Sequence, residues 1–146
     1  MPNIIAICTS KKKGTAKKAV KEARFIEEHG IENDAHAGPW RRQVSLLSLE
    51  KIEDFKSRGA IVVFGCFGEN LVVDGLDFAR LPVGTRFSSG EVLLEMTQIG
   101  KECHDKCRIY HAMGECIMPT QGVFARVLKG GVLREGDAVT VIPVEA

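Results

Sequence analysis

No apolar run in this 146-residue sequence approaches the roughly 20 residues that a membrane-crossing helix needs. The opening "MPNIIAICTSKKK" sets apolar residues before basic ones, the reverse of a secretory signal, so a cytoplasmic protein with no membrane association is expected. A surplus of either charge is also missing. With 20 basic against 19 acidic side chains there is no global attraction toward nucleic acid or an anionic surface, and no nucleic-acid partner is expected. Repeats and linker-like breaks are absent, which predicts one domain over residues 1–146. An even cysteine count is lacking too. Five cysteines in a reducing compartment point to free thiols, ligands or catalysts rather than structural bridges.

What is present reads mostly as strand. "NIIAICTS" predicts a first strand at about Ile4 to Cys8. In "KKKGTAKKAVKEARFIEEHG", Val20, Ala23 and Ile26 recur at helical spacing after Thr15, which suggests a helix, although the pattern also admits an extended path. The helical signal is clearer in "VSLLSLEKIEDFKSRG". There Leu49, Ile52 and Phe55 share a face behind a cap at Ser48, with Lys56 and Arg58 in the last turn and Gly59 as the stop. Short β runs follow, from "ENLVV" to "DAVTVIPV", punctuated by Asp74-Gly75, Ser89-Gly90 and "KGG", which are hairpin signals. The expected fold is mainly β: a closed or nearly closed β-barrel with one or two peripheral helices.

The chemistry-bearing residues gather in a few stretches. "QIGKECHDKCRIYHAMGEC", residues 98–116, holds three cysteines and two histidines, and three readings of it stay open. Cys103, Cys107, His111 and Cys116 have spacings that a tetrahedral zinc site accepts, although the second pair is looser than usual. Cys103 and Cys107 are close enough in sequence for a redox pair, but three residues separate them where thioredoxin-like chemistry uses two. In the third reading Cys103 is a reactive thiolate, its charged form favoured by Lys101, His104 and Lys106. The ordinary alternative is a small buried core residue.

Elsewhere, "HGIENDAHAGPWRRQVSLL" is turn-rich and polar, with His36 able to bind an anion, donate a proton or merely cap a turn. In "FGCFGENLVVDGL", Gly65 and Gly68 free the backbone to turn, and Glu69 with Asn70 offers acceptor and amide groups suited to a pterin or other heterocycle, or to an ordinary turn. "KKKGTAKK" lacks the spaced glycines of a P-loop and reads first as a solvated basic loop. Arg126 shares its strand face with Phe124 and Leu128, where an arginine is costly unless it meets an anion or a carboxylate.

The ordered set "HGIENDAHAG", "RRQVSLLSLE", "FGENLVV", "GLDFARLPVGTRF", "EMTQIGKECHDKC", "MPTQGVFARVLKGG" and "REGDAV" resembles the MOSC family, the domain found at the C-terminus of molybdenum cofactor sulfurases. The resemblance runs from about residue 28 to 142 and looks like a small stand-alone member. It implies a β-barrel with peripheral helices and a role in molybdenum cofactor (molybdopterin) metabolism. The family's characteristic cysteine falls on Cys103, which in relatives either receives persulfide sulfur or ligates molybdenum, so Cys103 is also the candidate metal ligand. His36 falls on the family's Gly-x-x-Gly-Asp-x-His segment and Arg126 on its Phe-x-Arg strand. Asn33 stands where the family has glycine, and asparagine tolerates the left-handed backbone such a turn needs.

The expectation is a cleft in which His36, Asp34, Glu69, Asn70 and Arg126 hold the cofactor. Cys103 works there as a sulfur carrier, Lys101 and His104 lower its pKa, and Cys107 resolves its persulfide or only packs. A separate cysteine desulfurase, which would carry the pyridoxal phosphate, and a receiving molybdoenzyme or cofactor-synthesis protein are the partners implied. Whether the chain turns over as a sulfurtransferase stays open. The alternatives are a non-catalytic cofactor-binding or insertion module and a zinc-stabilised β domain.

Overall fold

The computed structural model describes residues 2–11, 17–35, 37–40, 42–59, 63–65, 67, 69–100 and 122–144. In chain order the elements are β1 (Asn3–Thr9), β2 (Lys18–Val20), β3 (Glu22–Ile26), β4 (Gly30–Ile31), β5 (Val44–Ser48) and α1 (Leu49–Ser57). Then come β6 (Leu71–Asp74), a 3-10 turn at Phe78–Arg80, β7 (Arg86–Ser89), β8 (Val92–Ile99), β9 (Val123–Lys129), β10 (Gly131–Arg134) and β11 (Thr140–Ile142). Eight strands form one sheet in the order β11-β7-β8-β9-β5-β6-β1-β2, and β10-β3-β4 form a second. The β5–β6 pair is parallel, joined through α1, while the other pairs of the large sheet are antiparallel.

The mainly β expectation holds, but the closed barrel does not. The outer edge of β1 is divided: Ile7, Cys8 and Thr9 pair with β2, which leaves only its first residues for the other end of the sheet. There Asn3 makes a single antiparallel bridge to Ala138, backed by Ile4 N–H to Asp137 O at 2.8 Å and Val139 N–H to Pro2 O at 2.9 Å. The sheet therefore stays open at β2 and β11.

The expected helix after Thr15 is likewise corrected where it is described, because Lys18–Val20 and Glu22–Ile26 are strands. Along β3 the exposed Glu22 and Arg24 alternate with the inward Ala23 and Phe25, a two-residue period. Its partner is β10, with Leu133 opposite Ala23. The Ser89-Gly90 signal is a true hairpin, with Ser89 paired to Val92. The Asp74-Gly75 and "KGG" signals are not, since β6 pairs with β1 and β5, and β10 pairs with β3 rather than β9.

Two apolar layers flank the large sheet. One contains Ile4, Ile7, Val44, Leu46, Leu71, Val73, Phe87, Val123 and Ala125 among others. The second, under α1, gathers Ala6, Cys8, Leu47, Ile52, Phe55, Val72 and Phe124. A register shift between Ile4 and Ala6 puts Ile5 and Ala6 both on the helix side, so β1 serves both layers despite breaking strict alternation. The helix forms where its spacing predicts, burying Ile52 and Phe55. Ser48 sits at its start without capping it, because the hydroxyl donates instead to the Leu76 carbonyl.

Candidate functional site: a buried charge cluster and an aromatic-arginine groove

Three segments far apart in sequence meet at one buried cluster. Lys17 closes the basic loop, Asp34 belongs to the turn after β4, and Glu69 precedes β6. The Lys17 ammonium lies 2.7 Å from Asp34 Oδ1, and both side chains are 0% exposed. The same Oδ1 accepts the Ser10 N–H at 3.1 Å, and the ammonium also reaches the Ser10 hydroxyl at 3.3 Å. Lys17 N–H donates to the Gly65 carbonyl at 3.0 Å. Gly65 cannot carry a side chain there: a Cβ would stand 2.0 Å from the Lys17 carbonyl oxygen. Asn33, at φ 65, takes the left-handed turn in place of the family's glycine and delivers Asp34 to this contact.

Glu69 is 0% exposed and accepts the Gly65 N–H at 3.0 Å and the Phe67 N–H at 3.1 Å. Burial pushes its carboxyl above the ordinary value of 4.5, with those N–H groups and the Lys17 charge pulling the other way. Asn70, also fully buried, is a strut between strands. Its side-chain oxygen accepts the Ser45 N–H at 2.9 Å and the Ser45 hydroxyl at 3.1 Å, and its amide nitrogen donates to the Cys8 carbonyl at 3.0 Å. Asp34, Glu69 and Asn70 are thus bonded to other protein groups inside the fold.

Arg126 lies elsewhere, on β9, facing a groove of about 450 Å³ whose walls include Glu28, Trp40, Gln43, Glu95, Met96 and Thr97. It meets the carboxylate alternative that its strand position allows: a guanidinium nitrogen is 3.1 Å from Glu95 Oε1, and another is 3.6 Å from Glu28. Glu95 also receives Arg86, from across the β7–β8 pair, at 3.1 Å. Beside the groove, the guanidinium carbon of Arg42 stacks 4.5 Å from the Trp40 ring centre and 5.9 Å from that of Phe124. Its Nε is buried and has no hydrogen-bond partner. Arg42, Trp40, Lys17 and Glu95 were not singled out from sequence. The one available signal was a cation beside the chain's sole tryptophan, just before the buried strand β5.

Lys101, Cys103, His104, Cys107 and His36, with His111 and Cys116 of the zinc reading, lie outside the described residues. The segment carrying Cys103 is anchored at a joined stem: Gly100 N–H donates to the Gly122 carbonyl at 2.6 Å, next to the Ile99–Val123 pair of β8 and β9. Among the described residues no group of three or more histidine, cysteine or acidic side chains is placed to hold a metal, and no helix is long and apolar enough to cross a membrane.

An open mixed sheet with a helix in the β5–β6 crossover and a groove along β8 and β9 is an architecture with known counterparts. The family model of the MOSC domain matches residues 33–140, and this chain belongs to the MOSC domain family. Its fold is similar to that of the YUAD protein from Bacillus subtilis, at a TM-score of 0.82 and 18% identity over 99% of this chain and 98% of that one. It is also similar to YiiM from Geobacillus stearothermophilus (TM-score 0.73, 20% identity, 97% of this chain and 75% of that one). YiiM from Escherichia coli compares at a TM-score of 0.70 and 20% identity, over 100% of this chain and 72% of that one. No curated protein matches the sequence.

Proposed function

We propose that this protein handles the molybdenum cofactor in the aromatic-arginine groove, with Cys103 as a sulfur carrier that passes sulfane sulfur to the cofactor as substrate. Family membership over residues 33–140 motivates the cofactor. The observation that carries the reading is the joined Gly100–Gly122 stem, which roots the Cys103 segment at the end of the strand pair that walls the groove. Covalent geometry limits three residues of chain to about 11 Å, so Cys103 stays within that distance of Gly100. Thr97, on the groove wall, is three strand residues from the same point, about 10 Å.

The groove suits a planar polar heterocycle in shape and in donors. Trp40 offers an apolar face, Thr97 and Arg126 line the groove with polar groups, and Arg42, stacked on Trp40 beside it, has an N–H without an acceptor. In the transfer, the Cys103 thiolate attacks the outer sulfur of a donor persulfide on a cysteine desulfurase. The donor S–S bond breaks, the donor cysteine leaves as thiolate, and Cys103 becomes the persulfide. Attack by the Cys107 thiolate on the inner sulfur then forms a Cys103–Cys107 disulfide and releases the sulfur as hydrosulfide for the cofactor, and two equivalents of an external thiol, oxidised to their own disulfide, restore both cysteines. Lys101 and His104 favour the thiolate by their charge.

The test is intact-mass analysis after incubation with a cysteine desulfurase and cysteine. Cys107→Ala, which cannot discharge the persulfide, should gain one sulfur atom, and the same variant with Cys103→Ala added should gain none. No gain on Cys107→Ala, or equal gain when Cys103 is also alanine, rejects the carrier role. The binding-module reading is favoured by the unpartnered Arg42 Nε. It predicts copurified pterin with no persulfide on the protein.

A further inference from the structure

We propose that Arg42, which stacks on Trp40 beside this groove, rather than Arg126 on its wall, takes a phosphate-type oxyanion borne by the ligand that lies against Trp40. The inference deepens the cofactor reading and rests on it for the pterin, but not for the anion.

The argument begins with where each guanidinium charge is answered. Arg24, Arg58, Arg80, Arg86, Arg126 and Arg134 each ion-pair with an aspartate or glutamate. Arg42 alone among the described arginines meets no carboxylate. What it meets is two aromatic faces, Trp40 at 4.5 Å and Phe124 at 5.9 Å, with its Nε shut away from water and without an acceptor. A guanidinium cannot shed its proton at any ordinary pH, so this desolvated N–H stays a donor in want of a partner. The Nε edge is also the edge that grips two oxygens of a planar or tetrahedral oxyanion side by side.

The surroundings strengthen the case. Aromatic rings lower the local dielectric, which makes an incoming anion worth more to Arg42 than to the half-exposed, twice-paired Arg126. Position points the same way. Trp40 lines the groove, so the guanidinium stacked on it sits beside the groove, and its second aromatic neighbour, Phe124, follows Gly122 of the stem by two residues.

The experiment uses the intact protein with three probes: a pterin bearing a phosphate monoester, the same pterin without phosphate, and inorganic phosphate. Binding is read by calorimetry and, for inorganic phosphate, by fluorescence of Trp40, the single tryptophan of the chain. Arg42→Gln should weaken the phosphorylated pterin roughly 10- to 100-fold, the loss expected for a charge-assisted hydrogen-bond pair. It should leave the unphosphorylated pterin unchanged. Arg42→Lys keeps the charge and stem but loses the two-toothed edge, and should fall between Arg42→Gln and wild type. Arg126→Gln should change affinity less than Arg42→Gln does.

Undiminished phosphopterin binding by Arg42→Gln, a larger loss in Arg126→Gln, or no binding of either phosphate-bearing probe by wild type overturns the assignment. Arg42-dependent binding of inorganic phosphate with no added affinity from the pterin keeps the anion site and defeats the cofactor reading. Equal, Arg42-independent binding of both pterins does the reverse.

Discussion

Lys17 and Arg42 are both cations held against apolar surroundings, yet they are treated in opposite ways. Lys17 has a fully buried side chain and is answered within the chain, by Asp34 at 2.7 Å and by the Ser10 hydroxyl. Arg42 is half-buried, stacked on Trp40, and leaves an N–H unanswered. A charge answered by a buried carboxylate and a hydroxyl of its own chain holds the fold, because its interactions are made within the molecule. A charge with a desolvated donor left over marks where something else is received. The two regions are joined through one segment: residues 33–43 bring Asp34 to the first and Trp40 to the second.

That contrast breaks most visibly at Asp34. Asp34→Ala strands the Lys17 ammonium in the interior and should cost about 3–5 kcal/mol in urea unfolding, whereas adding Lys17→Met should return part of that loss. A single-variant loss below about 1 kcal/mol, the range of an exposed pair, would show that the pair is hydrated in solution. Next in size, Asn70→Ala takes the partners from Ser45 N–H and the Cys8 carbonyl and should cost about 1–3 kcal/mol.

Glu69 sharpens the comparison through pH. Its folded pKa lies above the unfolded value of 4.5 because burial disfavours the charge, so between those two values the folded state binds the extra proton. Its contribution to stability is therefore greatest below about 4.5 and declines as pH rises through the folded pKa. Urea unfolding of wild type relative to Glu69→Gln, measured from pH 4.5 upward, should show wild type losing ground steadily. A flat difference would mean that Glu69 stays hydrated. The smallest effect is reserved for Arg126→Gln. The guanidinium is 41% exposed and its pairs are at the surface, so stability should change by less than about 1 kcal/mol and the change should shrink in salt.

The elements whose signals are local were readable in sequence. The helix from Leu49 follows from its apolar spacing, β1 from its branched residues, and the β7–β8 turn from Ser89-Gly90. What misled was pairing at long range. Glu22–Ile26 has helical spacing at Ala23 and Ile26 together with a two-residue alternation, and the tie is broken by a strand more than a hundred residues later. "KGG" looks like a hairpin because the reason for its glycine is equally remote: a Cβ on Gly130 would stand 2.5 Å from the Phe25 carbonyl oxygen.

The site was partly legible for the same reason. Asp34, Glu69, Asn70 and Arg126 are noticeable as polar residues in turns and on an apolar strand. No spacing rule announces that Lys17 is the buried member of a basic run, or that Arg42 is the arginine whose charge finds no carboxylate. Lys17, Asp34 and Glu69 each look ordinary alone and become a cluster only when β1, β4 and β6 are laid together.

The seam between Asn3 and Ala138 has a dynamic consequence. One bridge and three backbone hydrogen bonds, from Ile4, Gly136 and Val139, carry a junction that a full ladder would share among many. Amide exchange with heavy water should therefore reach Gly136 and Val139 long before it reaches Ala125 or Val127 at the centre of the sheet. The molecule should breathe along this line while the groove, walled by β8 and β9 in the middle of the sheet, keeps its shape.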